Sequence, residues 1–304
     1  MCRFTLYLGP RIRLSTLLLD PEHSLIRQSS HSREREEPLN GDGFGVGWYA
    51  RDWSAEPAVF RSITPAWNNR NLHNLARVVS SDCILAHVRA ATQSSGVNEA
   101  NCHPFRFRQY LFMHNGDVGN FRLVRRHLLA AVGDEAFGNV YGSTDSEHLF
   151  SVFIDEMLQK QSTADPLERM AGALRAAIRR VTEVVAAHGH GEACYLNCAV
   201  ADGDRVVISR FADDRRADPP TLYFFTGSLY PRATDASADR DDAGPEIIVS
   251  SERLSRDDGW QVCPPNHLLL LARDREPELR SVADLVRAPA RSGRRPSAAA
   301  ADRG

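Results

Sequence analysis

Apolar and polar positions alternate along several short stretches of the chain and recur at helical spacing along two longer ones, which predicts an α+β fold. CRFTLYLG reads as a strand over Cys2–Leu8. In CILAHVR, Leu85, His87 and Arg89 alternate with Ile84, Ala86 and Val88, so His87 and Arg89 emerge from one face of a strand. In LNGDGFGVGWY, Phe44, Val46 and Trp48 share a face that suits a sheet core, fed by a tight glycine turn; the stretch lacks the spacing of a dinucleotide fingerprint. Tyr110–Met113 predicts a further strand, followed by a turn at Asn115–Gly116. CYLNCAV, RVVISRF, LYFFTG, EIIVS and HLLLLA add five more, with Cys194 and Cys198 on one face of the first.

Helical spacing sets in near Asp145, where Ser143 is the expected cap and Leu149, Phe150, Phe153 and Met157 form the packed stripe. EMLQKQ and LERMAGALRAAIRRVTEVVAA read as two helices. In the second, Met170, Leu174, Ala177 or Ile178, Val181, and Val184 or Val185 line one face, while Arg175, Arg179, Arg180 and Glu183 stay wet.

The chain has 304 residues, 42% of them hydrophobic, which suits one large core or two modest domains. YPRATDASADRDDAGP, residues 230–245, reads as an exposed insertion, and the arginine-rich residues 287–304 as a disordered tail. No apolar run is long enough to span a bilayer, and MCRFTLYL is wrongly built for a secretory signal, so a soluble cytoplasmic protein without a membrane partner is expected. Six irregularly spaced cysteines without paired CxxC knuckles imply reduced thiols and no metal site. The formal net charge of -2 gives no general attraction to nucleic acid. Lys160 is the only lysine, so cationic recognition falls to arginine, whose planar fork suits carboxylates.

Once Met1 is removed, Cys2 presents an amine and a thiol side by side, with ordinary pKa values of about 7.7 to 8.0 and about 8.5. Near neutral pH the amine can take the thiol proton while sulfur attacks a carbonyl carbon. A small buried apolar cysteine is the competing reading. HVRAAT, NCHPF, HNG and YGSTDSE hold further groups, each with a plain alternative. Asn115 and Gly116 offer donors to a developing oxyanion or form a hairpin turn. Arg89 binds a substrate carboxylate or a structural partner, and Asp145 binds a cation or ends a helix. His87, His103 and His114 orient loops or complete a pocket, or are satisfied core histidines.

In their order and separation, Cys2, LNGDGFGVGWY, HVRAAT, NCHPF, HNG and GSTDSE resemble the class II glutamine amidotransferases, N-terminal nucleophile hydrolases. HSLIRQS, ITPAWNNRNL, ISRF, VSSERL and GWQVCPPN are similar in particular to the fungal glutathione-degradation amidotransferase subunits. The resemblance implies a four-layer αββα sandwich and one catalytic domain over residues 2–286. It makes Cys2 the nucleophile and its amine the base, with the oxyanion held by Asn115 and Gly116. Arg89 and Thr92 would bind the substrate α-carboxylate, and Asp145 its α-amino group. The expected chemistry is cleavage of a γ-glutamyl amide in glutamine, glutathione or another γ-glutamyl small molecule, through a thioester and without metal or cofactor. With the core so assigned no acceptor-activating domain is expected, which leaves room for a peptidase-like or synthase subunit as partner; a purely binding or assembly role is the alternative.

Overall fold

The computed structural model describes residues 2–34, 39–90, 96–159, 165–214, 216–227 and 245–286. The segments predicted as insertion and tail lie almost wholly outside these residues, as does Thr92. In chain order, β1 (Arg3–Arg13), β2 (Phe44–Trp48), β3 (Ala58–Ser62) and β4 (Ser80–Val88) belong to one sheet, and β5 (Phe105–Phe107), β6 (Tyr110–Asp117), β7 (Tyr195–Ala201) and β8 (Arg205–Arg210) to a second. The chain then returns to the first sheet with β9 (Tyr223–Thr226), β10 (Ile247–Ser250) and β11 (Gln261–Val262), and to the second with β12 (His267–Ala272) and β13 (Arg275–Ser281). The strand orders are β11-β9-β10-β1-β4-β2-β3 and β13-β12-β8-β7-β6-β5.

Seven α-helices lie among the described residues: α1 (Leu14–Leu18), α2 (Leu25–Gln28), α3 (Arg70–Val78), α4 (Phe121–Leu129), α5 (Asp134–Phe137), α6 (Asp145–Gln159) and α7 (Pro166–His188). Three buried clusters separate four layers. Ile84, Ala86, Val88 and Tyr7 pack beneath α1 to α3. Phe4, Leu6, Leu85, Met113 and Ile208 fill the space between the sheets, and Phe112, Cys198 and Val207 meet Phe150, Leu174 and Ile178 of α6 and α7. This is the αββα sandwich. Each sheet is covered on both faces, which is why EIIVS and HLLLLA read as nearly continuous apolar runs instead of the alternation of a half-wet antiparallel strand. Cys194 and Cys198 share the helix-facing core, and all six cysteines are free thiols.

The ends of α7 follow local chemistry: Asp165 accepts from the Leu167 amide at 2.9 Å, Pro166 takes the first turn, and Gly189 follows His188. Four expectations need correction. The first strand runs over Arg3–Arg13, with Cys2 just outside it. EMLQ is the last turn of α6 and not a helix of its own. The hydroxyl that caps α6 is Thr144, which accepts from the Glu147 amide at 3.2 Å, while the Ser143 amide donates to Asn101. Finally, Asn115–Gly116 is not a turn: β6 continues through it, with Asn115 opposite Asn197 and Gly116 opposite Leu196.

No described helix is long and apolar enough to cross a membrane. The topology places the first strand of the chain in the middle of its sheet, between β10 and β4. Because β1 and β4 are antiparallel with Arg3 opposite Val88, the start of the chain lies beside the end of β4. Residues on either side of that junction therefore meet although 80 and more positions separate them.

Candidate active site

Cys2 is half-buried at the mouth of this junction, and its Sγ approaches the Ala90 carbonyl at 3.6 Å. In the chain that carries Met1, burial pushes the thiol above its ordinary range; the Ala90 main chain and the positive charge of Arg89 oppose that, and the negative charge of Asp145 adds to it. A thiol held protonated in this way needs a base close by. Arg89 is buried, with its amide donating to the Gly43 carbonyl at 2.9 Å and its carbonyl accepting from the Asp42 amide at 3.1 Å. Its Nη1 makes longer contacts to the Asp42 and Gly96 carbonyls, at 3.5 and 3.3 Å.

The second sheet brings Asn115, Gly116 and Asp145. On β6, Leu111 and Met113 face the other sheet, and the two-residue alternation carries Asn115 to that same face. Asn115 is 1% exposed, and neither its Nδ2 nor its Oδ1 has a hydrogen-bond partner among the described residues. A buried amide left unsatisfied on both atoms costs free energy unless a ligand or water completes it. A Cβ at Gly116 would overlap the Tyr195 carbonyl, so only glycine lets the two backbones come this close. Asp145 opens α6 and holds the end of β6: its Oδ2 accepts from the Val118 amide at 3.0 Å and its Oδ1 from the Ser146 amide at 2.8 Å. The Ser146 hydroxyl also lies 3.2 Å from Oδ1, so of about four lone-pair sites on the carboxylate one remains for a cation.

Hydrogen bonds join the two halves. His87 Nε2 lies 3.3 Å from the His114 carbonyl, across the gap between the sheets. The Tyr195 carbonyl can only accept, so in the neutral ring His114 Nε2 carries the proton at 3.0 Å and Nδ1 accepts from the Ser146 hydroxyl at 2.9 Å. His114 thus orients β6 against the start of α6. His87 and His103 stack with ring centroids 4.0 Å apart. Burial lowers the pKa of His87 to about 3 and that of His103 well below the ordinary range, so both rings are neutral at physiological pH. Asp117, exposed at the end of β6, has its carboxyl raised to about 6 by partial loss of solvent from neighbouring chain and by the negative charges of Asp145 and Glu192.

Two residues that sequence reasoning passed over hold the site loops. Asn101, in NCHPF, donates to the Gly96 carbonyl at 2.9 Å and accepts from the Ser143 amide at 2.8 Å, which ties the Arg89 side to the Asp145 side. Glu147 accepts from the Tyr141 and Gly142 amides at 2.9 and 2.6 Å and fixes the loop before α6. Both lie within quoted motifs, NCHPF and YGSTDSE, and no periodicity marks their role.

A family model for class II glutamine amidotransferases matches residues 24–293. The chain belongs to that family. It is 38% identical over 296 residues, 90% of this chain and 82% of the relative, to the probable glutamine amidotransferase DUG3 of Saccharomyces cerevisiae. It is 28% identical over 270 residues, 88% of this chain and 92% of the relative, to the γ-glutamyl-hercynylcysteine sulfoxide hydrolase of Mycobacterium tuberculosis. A solved glutamine aminotransferase class-II domain protein from Silicibacter pomeroyi superimposes with a TM-score of 0.63 at 28% identity, covering 92% of this chain and 99% of that one. As a class II glutamine amidotransferase the chain is an enzyme of the N-terminal nucleophile hydrolase type, acting on γ-glutamyl amide bonds.

Proposed function

We propose that this amidotransferase is an N-terminal cysteine amidohydrolase that cleaves the γ-glutamyl amide of glutathione or a related small molecule through a γ-glutamyl thioester. The observation that carries the reading is the Asn115 amide, buried and without a partner among the described residues, on the face toward the sheet whose first strand follows Cys2. After loss of Met1, the Cys2 amine accepts the thiol proton and sulfur attacks the γ-carbonyl carbon. The negative oxygen that forms is met by Asn115 Nδ2 and the Gly116 amide. Collapse breaks the C–N bond, the terminal ammonium returns its proton to the leaving amine, and the thioester remains. Water, giving a proton to the same terminal amine, then attacks the thioester carbon and expels the Cys2 thiolate, which yields glutamate. Arg89, with Thr92, takes the α-carboxylate, and the remaining acceptor position of Asp145 takes the α-ammonium.

Hydrolysis of a small γ-glutamyl compound is favoured by the relative named for hydrolysing a γ-glutamyl sulfur compound, and by the motifs similar to fungal glutathione-degradation subunits. Parallel assays of the purified chain on glutamine, glutathione and other γ-glutamyl peptides, alone and with any copurifying subunit, test the substrate. Glutamate release from several γ-glutamyl peptides, with little preference for free glutamine, is the expected result. Activity confined to glutamine, and only in complex with a synthase, would instead make the chain an ammonia-supplying subunit.

A further inference from the structure

HSLIRQS and VSSERL are not explained by the chemistry above, and the structure joins them directly beneath the candidate nucleophile. Arg3 follows Cys2 but projects to the opposite face of the sheet, since Phe4 points between the sheets and neighbouring side chains alternate. Its side chain is 0% exposed, its Nε donates to Glu252 Oε1 at 2.9 Å, and its Nη1 donates to the Asn40 side chain. Glu252, 1% exposed, also meets His23 Nε2 at 2.7 Å, the Ser32 hydroxyl at 2.8 Å and the Arg33 amide at 3.0 Å. Gln28, equally buried, donates to the His23 carbonyl at 2.9 Å. Next to Glu252, Ser251 grips Phe4 twice: its Oγ accepts from the Phe4 amide at 3.1 Å, and its own amide donates to the Phe4 carbonyl at 3.0 Å.

We infer that Glu252, acting through Arg3, is a positioning residue that fixes Cys2 for attack. The inference rests on Cys2 being the nucleophile. A chain end frays unless it is tied down, and a nucleophile at that end has no preceding segment to hold it. Here the hold comes from the side, through the ion pair and the Ser251 hydrogen bonds. Asn40 extends it: two residues further on, Asp42 pairs with the main chain of Arg89. Buried ion pairs add little net stability compared with apolar packing, so a fold gains more from this one in fixed geometry than in free energy.

The test compares wild type with Glu252→Gln and Ser251→Ala, after intact mass has shown loss of Met1 in each. Each is measured for kcat and KM on a γ-glutamyl peptide, for the rate of covalent labelling by an electrophilic glutamine analogue, and for thermal unfolding. Glu252→Gln is expected to lower kcat and the labelling rate together by about 100-fold while KM stays within about twofold, the pattern of a displaced reacting atom. Ser251→Ala, a milder change, is expected to lower both by about tenfold and stands in should the first variant fail to fold. Variants that melt earlier yet keep wild-type kcat and labelling rate below their melting points would overturn the inference and leave the network a stabilising one. If wild type is not labelled at Cys2, or Cys2→Ala keeps its activity, the nucleophile assignment fails and the inference falls with it, a result distinct from intact labelling in the Glu252 variant.

Discussion

The two sheets supply the candidate site in different ways. The first contributes Cys2 and Arg89, just beyond the ends of β1 and β4: Arg89 keeps two backbone bonds, to Gly43 and Asp42, whereas the chain at Cys2 is held through the side-chain bonds of Arg3 and Ser251 to its neighbours. The second contributes Asn115 and Gly116 from within a paired strand, and Asp145 from the first turn of a long helix. A ladder or helix fixes a residue through many backbone bonds, so single side-chain changes nearby disturb it little. A strand end has few such bonds and depends on individual side chains. The first half of the site is therefore the half that remote substitutions should damage, and the second is damaged mainly by changing the functional groups themselves.

Asn115→Ala isolates the second half and should have the largest effect on rate. Loss of one oxyanion donor is expected to lower kcat by about 10²–10³-fold with KM nearly unchanged. Since the variant also removes a buried unpartnered amide, its stability to urea should equal or exceed that of wild type. Substrate recognition divides between the halves. Arg89→Ala and Asp145→Asn should each weaken productive binding by roughly 10- to 100-fold, the value of a charge-assisted hydrogen bond. The loss should shrink on substrates lacking the α-carboxylate for Arg89, and on those lacking the α-amine for Asp145. Equal losses on intact and charge-deleted substrates, with circular dichroism unchanged, would remove both assignments.

Stability measurements sharpen the comparison further. Glu252→Ala leaves Arg3 as a buried charge without its carboxylate and should cost about 3–5 kcal/mol in urea unfolding. Burial alone pushes the Glu252 carboxyl up, but hydrogen bonds from His23, the Arg33 amide, Arg3 and Ser32 more than reverse it, from 4.5 to about 2. Its folded pKa is thus depressed, so its stabilising contribution is complete above the unfolded value and drains away as pH falls towards 2. Asp117 behaves in the opposite sense and, being exposed and screened by solvent, gives the smallest effect. Its folded pKa is raised from 3.8 to about 6, so the folded chain loses stability as pH climbs through that window. Asp117→Asn should therefore melt higher than wild type above pH 6 and show no difference below 3.8.

What could be read from the sequence follows from how local each feature is. The alternation of Ile84 and Leu85 sorted the two faces of β4 correctly, because both faces are apolar and the period of a strand is strictly two. The stripe of α7 was equally legible, with Leu174, Ile178 and Val181 buried as expected. Asn115–Gly116 was misread because Asn-Gly is the strongest short-range hairpin signal, and only the pairing with Leu196 and Asn197, some 80 residues away, keeps the strand going. The edge strand β13, REPELRS, shows no apolar alternation since it is half in water and exists by pairing with β12. The bond from Arg3 to Glu252 spans 249 positions and leaves no periodic trace, so the hold proposed for Cys2 was invisible until the fold brought the two together.

The central claim is that Cys2, freed of Met1, is the nucleophile. Intact mass and peptide mapping of the active protein after reaction with an electrophilic glutamine analogue test it most directly. The account predicts one adduct per chain, on Cys2, in molecules that lack Met1, and none in Cys2→Ala. An adduct confined to Cys83, Cys102, Cys194, Cys198 or Cys263, or full activity in protein that retains Met1 on every molecule, would contradict it.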